Sequence, residues 1–381
     1  MHKKTIVALI GARPQIIKHS AIERAVQNHF ADKINLVTIH SGQHYSPEMS
    51  AVFFEEMGIS QPDINLNVGS SSHAQQTAIM MQKLDEYLDG HRCDAFLVYG
   101  DTNSTLAGAL VASKRQVPLI HIEAGLRSFD KSMPEEINRI LTDHVSSLLF
   151  CPTKTAVINL SNENVRHDDK GTMNNPSVFE CGDIMYDNSL HFAEMAGEQS
   201  NVLSVNGLNP GAYILSTIHR DSNTDNKDNL SAIFKALLKI VEKNDIHVIL
   251  PLHPRTKKMM EQLLREELKS EIYSEKRLKI IEPVGFINMI ALEKNAALIL
   301  TDSGGVQKEA YFFKKPAVIL RPHTEWVEIV EKGCATLAGA DESKIINDVE
   351  MLLGKERLEF PEIFGDGKAA EFILSKIVEL C

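Results

Sequence analysis

The stretch HIEAGLRSFDKSMPEEINR, residues 121–139, gathers acidic side chains and an arginine beside one predicted strand. Glu123 follows the apolar run 117–122, which predicts a buried strand, and Glu135 lies in the first turn of the helix predicted to follow. Arg139 comes one turn after Glu135 on the same helix face. Because ligands of open α/β sheets bind outside the carboxyl ends of the strands, these groups could do proton chemistry on a bound substrate.

The same residues also have a purely structural interpretation. Ser132 and Glu135 have the spacing of a capping box, and Pro134 suits the first position of a helix. An acid in the first turn is favoured by the helix dipole in any protein. The sequence therefore leaves Glu135 either as an acid/base group or as part of a helix cap.

A second acidic turn, Gly-Asp-Thr-Asn-Ser at residues 100–104, follows another predicted strand. Asp101 could cap the helix that comes next, or it could direct its carboxylate into a site beside Glu123. Gln43 and His44 lie just after a third predicted strand and are further candidates for the same region.

The turn at residues 11–14 is the first of two that could bind phosphate. It joins the first predicted strand to the first helix and contains Arg13, with Lys18 one turn later. Helix N-terminal amides attract anions, but the turn is not a GxGxxG dinucleotide fingerprint. Taken alone, it is equally an ordinary strand–helix turn with surface cations.

The second such turn contains Ser303, Gly304 and Gly305 between a predicted strand and a helix. Consecutive glycine amides at a helix start can form a nest for a phosphate or diphosphate. Glu309 comes one turn later and could accept hydrogen bonds from ribose hydroxyls. Two glycines beside a serine favour a ligand that approaches the backbone.

Basic side chains follow three predicted strands in the same half of the chain. His219 and Arg220 end one strand, His253 and Arg255 the next, and Arg321 a third. A lone histidine is more often structural, but these groups together with the glycine turn favour an anion site.

Composition limits the class of protein. A chain of 381 residues is too long for one core and predicts two domains. The net charge of −11 argues against a general nucleic-acid or membrane-surface binder. Five cysteines without a CxxC pair indicate reduced thiols in a cytoplasmic protein, and no His/Cys cluster has metal-ligand spacing.

Apolar strands alternate with amphipathic helices, which predicts an α/β protein with two Rossmann-like doubly wound domains facing a cleft. We predict domains at residues 1–168 and 177–360, separated by a polar linker at 166–176, with a last helix in 366–381 packing back on the first domain. The predicted strands are 5–10, 34–40, 95–99, 117–122, 148–151, 213–217, 247–250, 278–281, 297–301 and 316–320. The predicted helices are 16–27, 49–57, 74–88, 104–113, 135–145, 228–241, 257–268, 287–294, 306–312, 343–353 and 368–380.

Several motifs occur together in a specific order: GARPQIIK, YGDTNST, HIEAGLRS followed by PEEINR, STIHR, and TDSGGVQKEA followed by LRPHTEW. They span the chain from about Ile6 to Gly339. This set resembles the non-hydrolysing UDP-N-acetylglucosamine 2-epimerases and their close relatives.

The resemblance implies the two-domain fold of B-type glycosyltransferases, a homodimer, and no metal or redox cofactor. It also implies that UDP binds mainly to the second domain, with the amino sugar facing the first. Residues that match catalytic positions of the family are Asp101, Glu123, Glu135 and His219. Residues that match substrate-binding positions are Arg13, Lys18, Arg139, Ser303, Gly304, Gly305, Glu309 and Arg321.

In such enzymes UDP leaves as the C2 proton is removed, which gives a glycal, and UDP then adds back as C2 is reprotonated on the other face. The reaction converts UDP-GlcNAc to UDP-ManNAc, a precursor of surface polysaccharides. It needs acid/base groups on two faces of the sugar and donors around the departing diphosphate.

The chain also departs from the commoner family pattern. GARPQ at residues 11–15 and HTEW at 323–326 are more similar to the branch that acts on UDP-2,3-diacetamido-2,3-dideoxyglucuronate. That acidic sugar would need an extra cation, for which His44, His323 and Arg127 are candidates. The stretch Gln43–Ser46 lacks one glutamine of the site at which some relatives bind substrate as an activator, so we predict no strong substrate activation.

Three other functions stay open from sequence. A hydrolysing epimerase would release UDP and the free sugar, and a glycosyltransferase could share the fold. A non-catalytic nucleotide-sugar sensor is the third, although binding alone would not need carboxylates at Asp101, Glu123 and Glu135.

Overall fold

The computed structural model describes residues 3–42, 54, 57–355 and 357–381. The chain divides into two compact units, Met1–Asn188 with Glu362–Cys381, and Ser189–Pro361. The candidates Gln43 and His44 lie outside the described residues, and so does most of the predicted helix at 49–57. Among the residues that are described, no helix is both long and apolar enough to cross a lipid bilayer.

The first unit contains a parallel sheet of seven strands in the order β3-β2-β1-β4-β5-β6-β7. Its strands are β1 Lys4–Ile10, β2 Ile34–His40, β3 Ile64–Asn65, β4 Ala95–Tyr99, β5 Leu119–Ile122, β6 Leu148–Cys151 and β7 Ser177–Glu180. Its helices are α1 Arg13–Ala25, α2 His73–Gly90, α3 Asn103–Lys114, α4 Pro134–Val145 and α5 Lys154–Asn162, and a π-helical turn Val26–Phe30 continues α1.

Helix α6, Ile184–Gln199, contains the division between the two units. The second unit has a parallel sheet of six strands in the order β10-β9-β8-β11-β12-β13. Its strands are β8 Tyr213–Thr217, β9 His247–Pro251, β10 Leu278–Ile281, β11 Leu298–Thr301, β12 Ala317–Ile319 and β13 Ala335–Leu337. The helices are α7 Val202–Val205, α8 Asp221–Thr224, α9 Lys227–Asn244, α10 Pro254–Leu263, α11 Glu266–Ser274, α12 Phe286–Asn295, α13 Gly304–Phe312, α14 Val327–Glu331 and α15 Glu342–Leu353.

The strand order explains which polar turns lie together within each unit. In each sheet the order reverses at its first strand, between β1 and β4 in the first unit and between β8 and β11 in the second. Ligands of doubly wound sheets bind outside the carboxyl ends of the strands at such a switch point. The turns that follow these strands are residues 11–14, 100–104, 218–220 and 302–305, which carry most of the candidate site residues.

The last helix, α16 Ala369–Leu380, belongs to the first unit and packs against α1. Its first two amides, from Ala369 and Ala370, donate to the two carboxylate oxygens of Asp187 at 3.1 and 2.8 Å. Lys4 donates to the Val378 carbonyl near the other end. These polar contacts tie both ends of the helix to the unit.

The predicted linker at 166–176 is wrong. It lies within the first unit, where the Asp168 amide donates to the Pro176 carbonyl at 2.8 Å and β7 then joins the sheet beside β6. The first unit therefore extends to Asn188, beyond the bound predicted at residue 168. Exposed loops and linkers have the same polar composition, so composition did not distinguish them.

The predicted helix at 257–268 is two helices, α10 and α11. Leu264 and Arg265 between them have extended backbone dihedrals. Because Met260, Leu264 and Leu268 are all buried at a spacing of four, the apolar pattern runs through the break as if one helix continued. Strands β3 and β13 were not predicted, because two and three residues are too few for a periodic signal. Strand β7 was missed because it follows directly on the polar stretch predicted as a linker.

Candidate functional site

Glu123 lies directly after β5, and its backbone has a φ of 71°. Its carboxylate pairs with the ammonium of Lys18 from α1, and both side chains are nearly buried. A Cβ placed on Gly100 would lie 3.2 Å from the Glu123 Oε2 and 3.3 Å from the Lys18 Nζ. The positive φ of Glu123 costs free energy because this residue is not a glycine. The contacts around the turn must therefore hold it in this conformation.

Asp101 does not cap the helix after it. Thr102 is the N-cap of α3 and shares a capping box with Thr105. The Asp101 carboxylate instead pairs with Arg139 from α4, and the Asp101 backbone carbonyl accepts a hydrogen bond from Asn138 at 2.9 Å. Of the two interpretations left open by the sequence, the structure excludes the cap and joins Asp101 to the candidate substrate arginine.

The capping-box interpretation of Glu135 is wrong as well. Helix α4 has Met133 as its N-cap without a side-chain cap, and the Ser132 hydroxyl donates to Asp130 at 2.6 Å. The neighbouring Glu136 has the structural role, because its carboxylate accepts the Ser128 and Phe129 amides at 2.9 and 3.0 Å. Glu135 itself is exposed on the first turn.

Glu136 is held in its ionised form by its partners. It is buried and also pairs with Arg139 at 2.9 Å. Although burial by itself raises its pKa, the hydrogen bonds from Ser128 and Phe129 and the charge of Arg139 lower the pKa below its usual value. Arg139 thus joins Glu136 and Asp101.

This division of roles predicts opposite outcomes for two adjacent substitutions. Glu135→Gln should lower turnover by roughly 100-fold or more, as expected for loss of a general acid or base, with little change in melting temperature. Glu136→Gln should lower the free energy of unfolding by about 1–3 kcal/mol, since it weakens buried charged hydrogen bonds. Turnover and thermal unfolding of both purified variants test this, and a Glu135→Gln enzyme with wild-type turnover would contradict it.

The turn at 11–14 is anchored by a residue that the sequence analysis did not single out. The buried Gln15 accepts the Ala12 amide at 3.0 Å and donates to the Tyr99 carbonyl at 2.9 Å. A Cβ on Gly11 would lie 2.3 Å from two serine hydroxyls, so this glycine is required by packing rather than by a ligand. Arg13 is exposed at the start of α1, one turn before the buried Lys18.

His219 follows β8 in the second unit and is positioned by Asp302. Its Nδ1 lies 3.2 Å from the Asp302 Oδ1, so Nδ1–H donates and Nε2 is the outer nitrogen. The fully buried Asp302 also accepts the amides of His219 and Arg220 at 3.1 Å and the Asn223 side chain at 3.0 Å. Burial lowers the pKa of His219, although Asp302 opposes this. The sequence analysis missed Asp302 because an aspartate in a turn such as TDSGG is usually explained by the turn itself.

The SGG turn begins α13, with Ser303 as N-cap and Gly304 as the first helical residue. A Cβ on Gly304 would meet its nearest atoms, Glu325 Oε2 and Arg321 Nη1, at 3.8 and 4.0 Å. The protein therefore has room for a side chain here, and its own packing does not require glycine. A cationic group and free space at a helix N-terminus suit a diphosphate.

The HTEW segment is packed around the same turn. Arg321 and Glu325 form a two-point ion pair at 3.1 and 2.9 Å, and the Trp326 indole donates to the Gly304 carbonyl at 3.1 Å. Thr324 donates to Gln307 of α13 at 2.5 Å, and Lys308 lies 4.2 Å from the centre of a Trp326 ring. This segment, which sets the chain apart from the commoner family pattern, thus fixes the start of α13.

Glu309 lies on α13 beside Glu293 of α12. Glu293 is fully buried, and neither of its oxygens has a donor among the described residues. Burial, together with the charge of Glu309, raises the pKa of Glu293 well above its usual value. Burial and the neighbouring Glu309 charge thus both favour the neutral form of Glu293.

Glu293→Gln should change the pH dependence of stability. Above a pH of roughly 4.3 the unfolded chain loses this proton and the folded chain keeps it, so wild-type stability falls as pH rises. Glutamine has no proton to lose. The free energy of unfolding of the variant should therefore rise relative to that of wild type by up to about 1.4 kcal/mol for each pH unit above that value. Chemical denaturation from pH 5 to pH 8 measures the difference. A constant gap between the two proteins would contradict the assignment.

Two predicted cations are already occupied. Arg255 pairs with Asp221 and Asp225 at 2.9 and 2.5 Å. Arg127 pairs with Asp143 and Glu163, both at 2.7 Å. Arg127 is buried between its two acids and is therefore withdrawn as a candidate for the substrate anion. Arg255 is partly exposed and stays a candidate, as does Arg321 with its own partner Glu325.

The remaining histidine candidates differ in position. His253 caps α10, and its ring lies 6.2 Å from that of His219. His323 is exposed beside the HTEW segment, whereas His44 lies outside the described residues. Within the described part of the chain, no group of three or more His, Cys, Asp and Glu side chains could hold a metal ion.

Comparisons with known proteins agree along the whole chain. A profile of the family described as UDP-N-acetylglucosamine 2-epimerase matches residues 26–378. A Methanococcus maripaludis protein named UDP-N-acetylglucosamine 2-epimerase homolog is 47% identical over 345 residues, 90% of this chain and 91% of that protein. A Pseudomonas aeruginosa protein named UDP-2,3-diacetamido-2,3-dideoxy-D-glucuronate 2-epimerase is 43% identical over 375 residues, 98% of this chain and 99% of that protein.

The structural comparison supports the same relationship. The Methanocaldococcus jannaschii UDP-GlcNAc 2-epimerase in complex with UDP-GlcNAc and UDP has a TM-score of 0.82 at 42% identity, with 98% of this chain and 99% of that chain covered. A Phytolacca americana glycosyltransferase, complexed with UDP-2fluoro-glucose and pterostilbene, has a TM-score of 0.60 at 11% identity, which is a likeness of fold alone. The predicted α/β class with two parallel sheets is confirmed.

Proposed function

We propose, since the chain belongs to the UDP-N-acetylglucosamine 2-epimerase family, that it interconverts UDP-GlcNAc and UDP-ManNAc without hydrolysis, for surface polysaccharide precursors. The protein is an enzyme of the isomerase class, as its named relatives are. The observation that carries the proposal is Glu123, whose carboxylate is held at a strained backbone position against Lys18 at a strand end. Such preorganisation suits a group that must move a proton at a fixed point.

The first unit supplies the proton chemistry in this proposal. The carboxylates of Asp101, Glu123 and Glu135 act as acid and base on the two faces of C2. Arg139 contacts the substrate and also orients Asp101. Removal of the C2 proton as UDP departs leaves a glycal. The return of UDP to C1, with reprotonation of C2 from the other face, gives the epimer.

The second unit binds UDP. The amides of Ser303, Gly304 and Gly305 and the Arg321 guanidinium receive the diphosphate, and Glu309 accepts the ribose hydroxyls. A diphosphate beside the outer nitrogen of His219 would raise the pKa of this histidine, so that it donates to the leaving group. Arg13 and Lys18 of the first unit are further phosphate or substrate contacts by their match to the family motif.

NMR spectroscopy of the protein with UDP-GlcNAc in deuterated water tests this function. The proposed epimerase puts deuterium on C2 of UDP-sugars that keep their nucleotide and gives signals of UDP-ManNAc. A hydrolysing epimerase accumulates free UDP. A glycosyltransferase without acceptor, or a sensor, leaves C2 protiated, and that outcome would overturn the proposal.

The choice of sugar is a separate prediction. The loss of Arg127 to internal ion pairs removes one of three cations proposed for an acidic sugar, which supports UDP-GlcNAc as the first choice. The alternative is the same reaction on UDP-2,3-diacetamido-2,3-dideoxyglucuronate, on which the P. aeruginosa relative acts by name. We expect kcat/KM for UDP-GlcNAc to be at least equal to that for the uronate. A preference of more than about tenfold for the uronate, roughly 1.4 kcal/mol in transition-state binding, would reverse the choice.

Quaternary state, location and regulation complete the proposal. A homodimer is supported by Ile137 and Leu141, apolar side chains exposed by 45% and 44% one turn apart on α4.

A cytoplasmic location agrees with thiols such as Cys151 and Cys181, which form no disulfide and whose pKa values burial raises well above normal. The absence of strong substrate activation stays a prediction, because Gln43–Ser46 lies outside the described residues.

A further inference from the structure

His121 is a fully buried histidine on β5 for which the proposed reaction has no direct use. Its Nε2 lies 2.8 Å from the Gly100 carbonyl oxygen, and its Nδ1 lies 2.7 Å from the Asp143 Oδ1. Both nitrogens of the ring therefore face an oxygen that accepts hydrogen bonds. The protonation state of His121 follows from the chemistry of these two partners.

A carbonyl oxygen only accepts, so Nε2 must carry a hydrogen. The second oxygen of Asp143 accepts the Gly125 amide at 3.1 Å and the Arg127 guanidinium at 2.7 Å, which are contacts that favour the carboxylate. Although burial raises the pKa of Asp143, His121 and Arg127 lower it below its usual value. With Asp143 ionised, Nδ1 must also donate, and the ring is an imidazolium.

The charges of this cluster balance. Arg127 and His121 are positive, and Asp143 and Glu163 are negative, with Glu163 bound to Arg127 through two bonds of 2.7 Å. Buried charges persist when they are paired and their hydrogen bonds are satisfied.

The cluster connects the two turns that carry the proposed acid/base groups. His121 donates to the carbonyl of Gly100, the residue directly before Asp101. The Gly100 amide in turn donates to the Ile122 carbonyl at 3.0 Å. On the other side, Asp143 holds the Gly125 amide, two residues after Glu123. The strained backbone of Glu123 is thus fixed from both neighbouring turns.

We propose that His121 is a positioning residue that donates from both ring nitrogens and, with Asp143, fixes the Asp101 turn relative to the Glu123 turn. Its effect on the reaction passes through those two carboxylates, and it touches no substrate atom. The inference rests on the proposed epimerase function for the roles of Asp101 and Glu123. The protonation state itself does not depend on that function.

The protonation state is tested on the wild-type enzyme by ¹⁵N NMR of histidine-labelled protein, with His121 assigned through a His121→Gln variant. We expect both ring nitrogens of His121 to give the protonated shift at pH 7. One unprotonated nitrogen at pH 7 would overturn the proposal. This measurement needs neither turnover nor substrate.

The positioning role is tested by Asp143→Asn, whose amide can donate to Nδ1 and so leave a neutral ring that still holds Gly100. We expect kcat to fall roughly 10- to 100-fold, because small displacements of acid/base groups are costly, while the dissociation constant for UDP changes less than about twofold. Asp187→Asn is the matched control, since Asp187 is a half-buried acid of the same unit that holds the α16 amides. It should lower melting temperature with kcat unchanged.

The outcomes separate the two proposals. If Asp143→Asn and Asp187→Asn lower kcat alike, in proportion to lost stability, His121 has only a structural role and the positioning proposal fails. If wild type shows no exchange at C2 in deuterated water, the epimerase proposal fails instead. The NMR measurement still tests the protonation state of His121 in that case, because it does not depend on the reaction.

Discussion

Glu123→Gln is expected to lower the rate of deuterium exchange at C2 of UDP-GlcNAc by at least about 100-fold, the usual loss when a general acid or base is removed. Glutamine keeps the size of the side chain and accepts the φ of 71° as poorly as glutamate does, so the turn keeps its geometry. It cannot bind or release the proton. UDP affinity should change little, since the proposed nucleotide contacts lie mainly in the second unit.

Glu123→Gly separates strain from chemistry. Glycine adopts a positive φ without steric cost, so this variant should be at least as stable as Glu123→Gln, while both are equally inactive. Both also leave Lys18 without its carboxylate partner, and the comparison therefore cancels that loss. Thermal unfolding and the exchange rate in deuterated water measure the pair. A Glu123→Gln enzyme that keeps more than about a tenth of wild-type exchange would remove this carboxylate from the acid/base role.

Gly304→Val is expected to weaken UDP binding by roughly 100-fold or more. The new side chain would occupy the space at the start of α13 where the diphosphate approaches the backbone amides. The fold should tolerate it, because the nearest protein atoms to the added Cβ are 3.8 and 4.0 Å away. Loss of binding would therefore reflect a blocked site and not a damaged unit.

Gly197→Val is the matched control for this experiment. Gly197 is a helical glycine of the same unit with no other atom within 4 Å of an added Cβ. It makes the same glycine-to-valine change within a helix and should leave UDP affinity unchanged. Isothermal calorimetry with UDP measures both variants. Wild-type affinity in Gly304→Val would show that the diphosphate binds elsewhere.

The positions of most strands along the chain and the place of the polar turns were determined by local sequence. Strands β4, β6 and β8 have the bounds predicted from their apolar runs, because strands inside a parallel sheet are buried on both faces and read as continuous hydrophobic segments. The glycine turns and helix starts that follow them are equally local. The motifs in their order were sufficient to indicate the family, since they lie at strand ends, most of which the fold brings to a switch point.

The partners of the charged residues were decided by tertiary structure alone. Sequence left Asp101 between a helix cap and a site residue. In the structure Thr102 takes the cap, and the Asp101 carboxylate pairs with Arg139, far along the chain. In the same way Glu136 took the structural role that spacing had assigned to Glu135. Arg127 was withdrawn from the substrate candidates by Asp143. An ion pair depends on distances across the fold and on burial, and neither quantity is encoded in the spacing of residues along one element.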